Sequence, residues 1–275
     1  MAQTLLRPRH AKTTEQDDPF TLGVWHTVLQ QHRGLASPAL LAGHAPATTA
    51  PDLLARLMAD KLCDQSVSFS ALHAVFVSIL HGSAPIMAAA AQDLHACRTR
   101  GTGSTDYITP FLYYKGFQAV QAYRLAHVLW GNGQRFSALF LQSRMSEVTG
   151  IDIHPAAVLG HSLVLGHGGG IVIGETALVE NDVALMADVT LGGTGKETGK
   201  RHPTVGRGTL VGPGTQILGP ITIGEGVKIG AGAVVVKSVS AFSAVAGNPA
   251  RYINSHTTWP VLTMDLSFPS IDYLI

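Results

Sequence analysis

The chain has 275 residues, 19 Lys plus Arg against 18 Asp plus Glu, and a formal net charge of +1, a balance that argues against nucleic acid or an anionic membrane as its main partner. Charged residues make up 13%, about half the usual share, and hydrophobic residues 46%, which suits extensive burial and self-association. The longest apolar run, APIMAAAA (84–91), is far short of the roughly 18 residues a membrane-spanning helix needs.

Taken in order, the first residues, MAQTLLRPRHAKTTEQDD, are polar, carry acidic groups and contain no apolar signal core, so residues 1–19 read as disordered and the protein as cytoplasmic. From Phe20 to about residue 148 the pattern is helical. TLGVWHTVLQQH, PDLLARLMADKL, FSALHAVFVSIL and SAPIMAAAAQDLHACR each place apolar residues at helical spacing. Pro38, Pro46 and Pro51 mark a loop, and GTGST (101–105) a break. Thr109 and Pro110 then open a helix through TPFLYYKGFQAVQAYRLAHVLW. Cys63 and Cys97 have no metal or redox spacing and read as small buried helix residues in a reducing compartment.

Between Ile151 and Ser240 an aliphatic residue returns every six positions. The beats are Ile153, Leu159, Leu165 and Ile171, then, after a slip of two, Ile173, Val179, Leu185 and Leu191. The insertion GGTGKETGKRHPT (192–204) interrupts them, and they resume at Val205, Val211, Ile217, Ile223, Ile229 and Val235. Neither a helix, near 3.6, nor a lone strand, at 2, has this period. A six-residue repeat cannot bury its own apolar face, but three repeats make one triangular coil of about 18 residues that buries its aliphatic row on the next coil. The expectation is a parallel β-helix of four to five coils over 149–250, capped by the helical domain over 20–148. FSAVAGNPARYI is expected to leave the coil, and 251–275 to form an irregular, extended tail.

Several strings then occur in one order: FLYYKGFQAVQAYR (111–124), DIHPAA (152–157), HGGGIVIGETA (167–177), END (180–182), VTLGGTGK (189–196), RHP (201–203) and AGNPAR (246–251). Together with the hexapeptide repeat they resemble the serine O-acetyltransferases, over about residues 20–275. The resemblance implies a left-handed β-helix and direct transfer of acetyl from acetyl-CoA to the serine hydroxyl, with no metal. A hydroxyl attacks well only if a base takes its proton, and His167 matches that base. Asp152 matches the carboxylate that orients it, His202 the second active-site histidine, and Arg201 the residue that holds the substrate carboxylate. Gly193, Thr194, Pro213, Lys228 and Ala231 match acetyl-CoA-binding positions. Pro213 stands where the family has Ala and lacks an N–H.

Two glycines depart from the family pattern. Gly101 follows Arg100, and Gly166 precedes His167, where the family has Asp residues that hold the acceptor. The expected function is acetylation of L-serine. The alternatives are another small carboxylate-bearing alcohol as acceptor, or a weakly active regulator of O-acetylserine sulfhydrylase. The terminal Ile275 matches the residue by which the family docks that enzyme, and an apolar anchor with a free carboxylate is a known recognition mode. A trimer or a dimer of trimers follows from the resemblance. The spacings of His154, His161 and His167 put them on different faces and argue against a metal site. GGTGK (192–196) lies in the wrong context for a nucleotide-phosphate loop.

Overall fold

The structure is a computed structural model, and it describes residues 18–35, 47–100, 103–166, 168–196 and 198–268. The loop prolines Pro38 and Pro46, the site residues Gly101, His167 and Ile275, and nearly all of the segment 1–19 lie outside these residues. Among the described residues seven helices come first: α1 (Pro19–Arg33), α2 (Ala50–Leu62), α3 (Phe69–His81), α4 (Ala84–Thr99), α5 (Ile108–Tyr113), α6 (Lys115–Gly131) and α7 (Arg135–Thr149). The starts of the first three are written in the sequence. The Asp18 carboxylate accepts from the Phe20 and Thr21 amides ahead of Pro19, Thr49 caps α2 ahead of Pro51, and Ser68 caps α3. Among the described residues no single helix is long and apolar enough to cross a membrane.

The single helix expected from Thr109 onward is two. The chain breaks at Tyr114, whose backbone is extended, and side chains satisfy the amides at the start of the first helix and the carbonyls exposed by the break. Asp106 Oδ1 accepts from the Thr109 amide at 2.7 Å, and Gln31 Oε1, from α1, accepts from the amides of Tyr107 and Ile108. Gln118 Nε2 donates to the Leu112 carbonyl at 2.6 Å.

Helix α6 is buried over nearly its whole circumference, from Gly116 to Ala126, because it lies between the helical bundle and the first coils. At Gly116 a Cβ would stand 2.2 Å from the Leu165 carbonyl oxygen, so only glycine allows the approach. Further along, Tyr123 Oη donates to the Ala157 carbonyl at 2.6 Å, and burial raises its pKa to about 12. Arg124 Nη2 donates both to Asp93 Oδ2 at 2.6 Å and to the Gly160 carbonyl at 2.8 Å. Asp93 also accepts from the Leu163 amide at 3.0 Å, so one buried carboxylate joins α4, α6 and the solenoid.

The solenoid has three faces. The first sheet contains β1 (Asp152–Ile153), β4 (Val172–Ile173), β7 (Thr190–Gly192), β10 (Gln216–Leu218) and β13 (Val234–Val235). The second contains β2 (Val158–Leu159), β5 (Leu178–Val179), β8 (Thr204–Val205) and β11 (Thr222–Ile223). The third contains β3 (Val164–Leu165), β6 (Ala184–Leu185), β9 (Leu210–Val211), β12 (Lys228–Ile229) and β14 (Ser243–Ala246). Every third strand pairs in parallel, as a triangular coil requires. All the predicted beats except Ile171 are second residues of strands, and they point into a core of Ile, Leu and Val. The two-residue slip sits in the turn between β3 and β4, where Gly169 and Gly170 take positive φ. The insertion is the loop between β7 and β8.

Phe242–Ala246 does not leave the coil. Ser243–Ala246 is β14, paired in parallel with β12, because Val245, opposite Ile229, keeps the inward row. Past a cis Asn248–Pro249 bond, β15 (Arg251–Ser255) returns antiparallel to β14. A helical turn, α8 (Pro260–Thr263), follows and seats Val261 against Ala96, Val164, Ala184 and Leu210. The described part of the tail is therefore a strap across the third sheet, touching the helical domain.

Candidate active site

Three columns of turns connect the faces: a first corner from first to second sheet, a second from second to third, and a third back to the first. The sequence-derived residues divide among them. Gly193, Thr194, Arg201 and His202 belong to the loop at the first corner, Gly166, Pro213 and Ala231 to the third, and Lys228 to the third sheet. Asp152 opens β1. His154 and His161 fall at successive corners, as their spacing predicts.

The first corner is the most structured. Glu175 and Thr176 occupy its turn one coil before the loop. Thr176 Oγ1 accepts from the Arg201 amide at 3.0 Å and from the His202 amide at 3.1 Å. The Thr176 amide donates to His202 Nδ1 at 3.1 Å, and Thr176 Oγ1 lies 2.9 Å from the same nitrogen. Lys200 Nζ donates to the Thr176 carbonyl at 2.6 Å. His202 is 8% exposed and lies flat on Gly174, where a Cβ would come within 2.1 Å of its ring. Burial, reinforced by the Arg201 charge, pushes the His202 imidazole below the usual histidine range, although Glu175 pulls the other way. Arg201 Nη2 pairs with Glu175 Oε2 at 2.5 Å, and that hydrogen bond holds the Glu175 carboxyl below its ordinary value. His154 lies one coil before this turn, edge-on to Trp130 with ring centres 5.0 Å apart, and burial lowers its pKa as well.

Asp152 Oδ1 accepts from Gln142 Nε2, on α7, at 2.6 Å. Neither Gln142 nor Thr176 was identifiable from the sequence. Each is an ordinary polar residue, and its partner is fixed only by the folded register. The third corner is closed by backbone instead. A Cβ on Gly166 would meet the Ala187 amide nitrogen at 2.5 Å and the Met186 carbonyl carbon at 2.9 Å, so this turn has no room for a carboxylate unless the next coil shifts. Pro213 uses its carbonyl, which accepts from the Gly232 amide at 2.8 Å. Lys228 donates to the Ser267 carbonyl and lies 3.7 Å from Asp265 Oδ2, so the tail reaches this position. Among the described residues no three His, Cys, Asp or Glu side chains converge as a metal site.

Comparison with known proteins assigns the chain. Residues 24–122 match the family described as serine acetyltransferase, N-terminal, and residues 202–237 match the bacterial transferase hexapeptide (six repeats). The serine acetyltransferase of Escherichia coli strain K12 is 39% identical over 264 residues, covering 96% of this chain and 91% of the relative. This chain belongs to the serine acetyltransferase family. The crystal structure of the Vibrio cholerae serine acetyltransferase superposes with a TM-score of 0.85 at 40% identity, covering 90% of this chain and 98% of that one. The soybean serine acetyltransferase complexed with serine superposes with a TM-score of 0.81 at 39% identity, covering 86% and 100%. The coil is thus the left-handed β-helix of the hexapeptide acyltransferases.

Proposed function

We propose that this acetyltransferase moves the acetyl group of acetyl-CoA onto the hydroxyl of L-serine. The observation that carries the reading is the first-corner cluster, in which a family member keeps Arg201 and His202 fixed by four contacts to Thr176. Arg201 offers a planar fork of donors for the serine carboxylate, with Glu175 occupying one of them. His167 takes the hydroxyl proton as the oxygen attacks the thioester carbon. The C–S bond breaks, the sulfur leaves, and the proton passes from His167 to it. Asp152 orients His167 and stabilises its charged form, with Gln142 holding one carboxylate oxygen and leaving the other for the ring. Gly193 and Thr194, with Pro213, Ala231 and Lys228, would line the acetyl-CoA groove.

These residues occupy two corners and a third face of one solenoid. That division supports a groove formed between neighbouring copies, hence an assembly of at least three chains. The test is release of CoA thiol from acetyl-CoA with L-serine, homoserine, threonine and alcohols bearing a carboxylate but no amine. Release with L-serine that falls by about 10²–10⁴ in His167→Ala is the expected result. Release only with another acceptor would replace serine as substrate.

A further inference from the structure

We propose that Thr176 is a positioning residue that holds His202 as the neutral imidazole with its proton on Nε2. His202 then serves bound substrate as a hydrogen-bond donor and never as the base. The inference rests on the reading that the first corner is the acceptor site.

The argument is one of donors and lone pairs. The Thr176 amide can only donate, so His202 Nδ1, at 3.1 Å, must present its lone pair to it. The Thr176 hydroxyl oxygen spends its two lone pairs on the amides of Arg201 and His202, which leaves its hydrogen to donate, and Nδ1 lies 2.9 Å away. Two donors therefore share the Nδ1 lone pair. A ring flip would put a carbon in that place and abolish both contacts. The ring proton is thereby on Nε2, and adding a second proton at Nδ1 would break both bonds.

Two glycines lie beside Nε2: a Cβ on Gly174, against the ring face, would lie 2.1 Å from it, and one on Gly193 would lie 3.7 Å from it. The charged and titratable groups around the ring are Arg201 and Lys200, which disfavour its protonation, Glu175, which favours it, and His154, which disfavours it. Burial is the largest influence, and with the Arg201 charge it lowers the pKa of the ring, in agreement with the hydrogen bonds. A neutral Nε2–H can stabilise a carboxylate or a developing oxyanion without donating its proton outright. The lone pair that a base would need is already occupied. The role of proton acceptor is thus left to His167, as in the proposed function.

The test uses the full-length protein, labelled with ¹⁵N at histidine and with His202→Gln identifying the signal. Wild type and Thr176→Ser should show a bare Nδ1 and a protonated Nε2, persisting below the ordinary histidine pKa. Thr176→Val, nearly the same shape, loses the hydroxyl and the acceptor for two loop amides. It should show mixed tautomers and a raised pKa, with kcat/KM for L-serine down about 10- to 100-fold. Thr176→Ser should recover to within about threefold of wild type, which a purely structural role for the methyl group would not give. A proton on Nδ1 in the wild type, or a Thr176→Val protein with the wild-type tautomer, would overturn the proposal. Wild-type protein inert toward serine would instead overturn the proposed function, and the tautomer measurement would still decide this one.

Discussion

The first and third corners flank the same sheet and repeat with the same period, yet they hold their residues in different ways. At the first corner the coil is interrupted, and side chains do the holding: Thr176 gathers Arg201 and His202, and Glu175 pairs with Arg201. At the third corner the backbone of each coil closes on glycine of the one before, at Gly166 against Met186–Ala187 and at Gly212 against Ala231. A loop held by side chains can place chemistry precisely but is sensitive to small displacements. A turn closed by backbone is stiff and leaves no room for a larger residue.

The sharpest way to break this comparison is to add one methyl group at each corner. In Gly174→Ala the new Cβ meets the His202 ring, a side chain that can swing away, so the coil should hold its melting temperature while the ring leaves its place. A displacement of about 1 Å in a catalytic group costs on the order of 10²-fold in rate, and kcat/KM for L-serine should fall by about that much. In Gly166→Ala the Cβ meets backbone atoms that cannot swing, so the loss should appear as stability, about 1–3 kcal/mol by thermal or denaturant unfolding. Equal losses of stability at both corners would show that the distinction is not real.

The contrast also explains what the sequence revealed. Aliphatic beats such as Val179 and Val205 are visible because every coil needs an inward residue at the same position, and repetition exposes that need. Val245 belongs to the same row, but the chain between β13 and β14 lacks the regular six-residue step, so its place on the third sheet was hidden. The break at Tyr114 was hidden for another reason: Gln118, on the following helix, satisfies the Leu112 carbonyl freed there, and an ordinary glutamine gives no signal of that role. Thr176 and Gln142 are cases of the same kind. Resemblance brought Asp152, Arg201 and His202 to attention, but not the residues that hold them in position.

The second corner offers a smaller test, in pH. Burial alone would raise the Asp182 pKa, but hydrogen bonds and charge from Arg100 at 2.7 Å and Arg207 at 3.0 Å overcome it and hold the carboxyl below its ordinary value of 3.8. A depressed carboxylate contributes stability that is present above its unfolded pKa and is lost as pH falls through the folded one. Asp182→Asn keeps the positive φ, which Asn tolerates, and should lower stability by about 1–2 kcal/mol at neutral pH. Acid titration of unfolding should then bring wild type and variant together below about pH 4. A gap that persists undiminished into acid would mean that the Arg100 contact between the helical domain and the coil does not depend on this charge.

The smallest effect concerns Lys228, where the tail meets the third sheet. Its ammonium donates to the Ser267 carbonyl, stands 3.7 Å from Asp265, and lies 4.9 Å from the centre of the Phe268 ring. If Lys228 serves a phosphate of acetyl-CoA, that phosphate and the tail compete for one cation. Each tail contact is weak, since Asp265 is 56% exposed and solvent screens the pair. Removing residues 265–275 leaves β15 and the Val261 contact in place and should lower the KM for acetyl-CoA by about two- to fivefold, with kcat unchanged. A rise in KM would mean that the tail helps build the groove, and an unchanged KM would remove Lys228 from the acetyl-CoA site. Only a fall fits a tail that screens the lysine until the co-substrate displaces it.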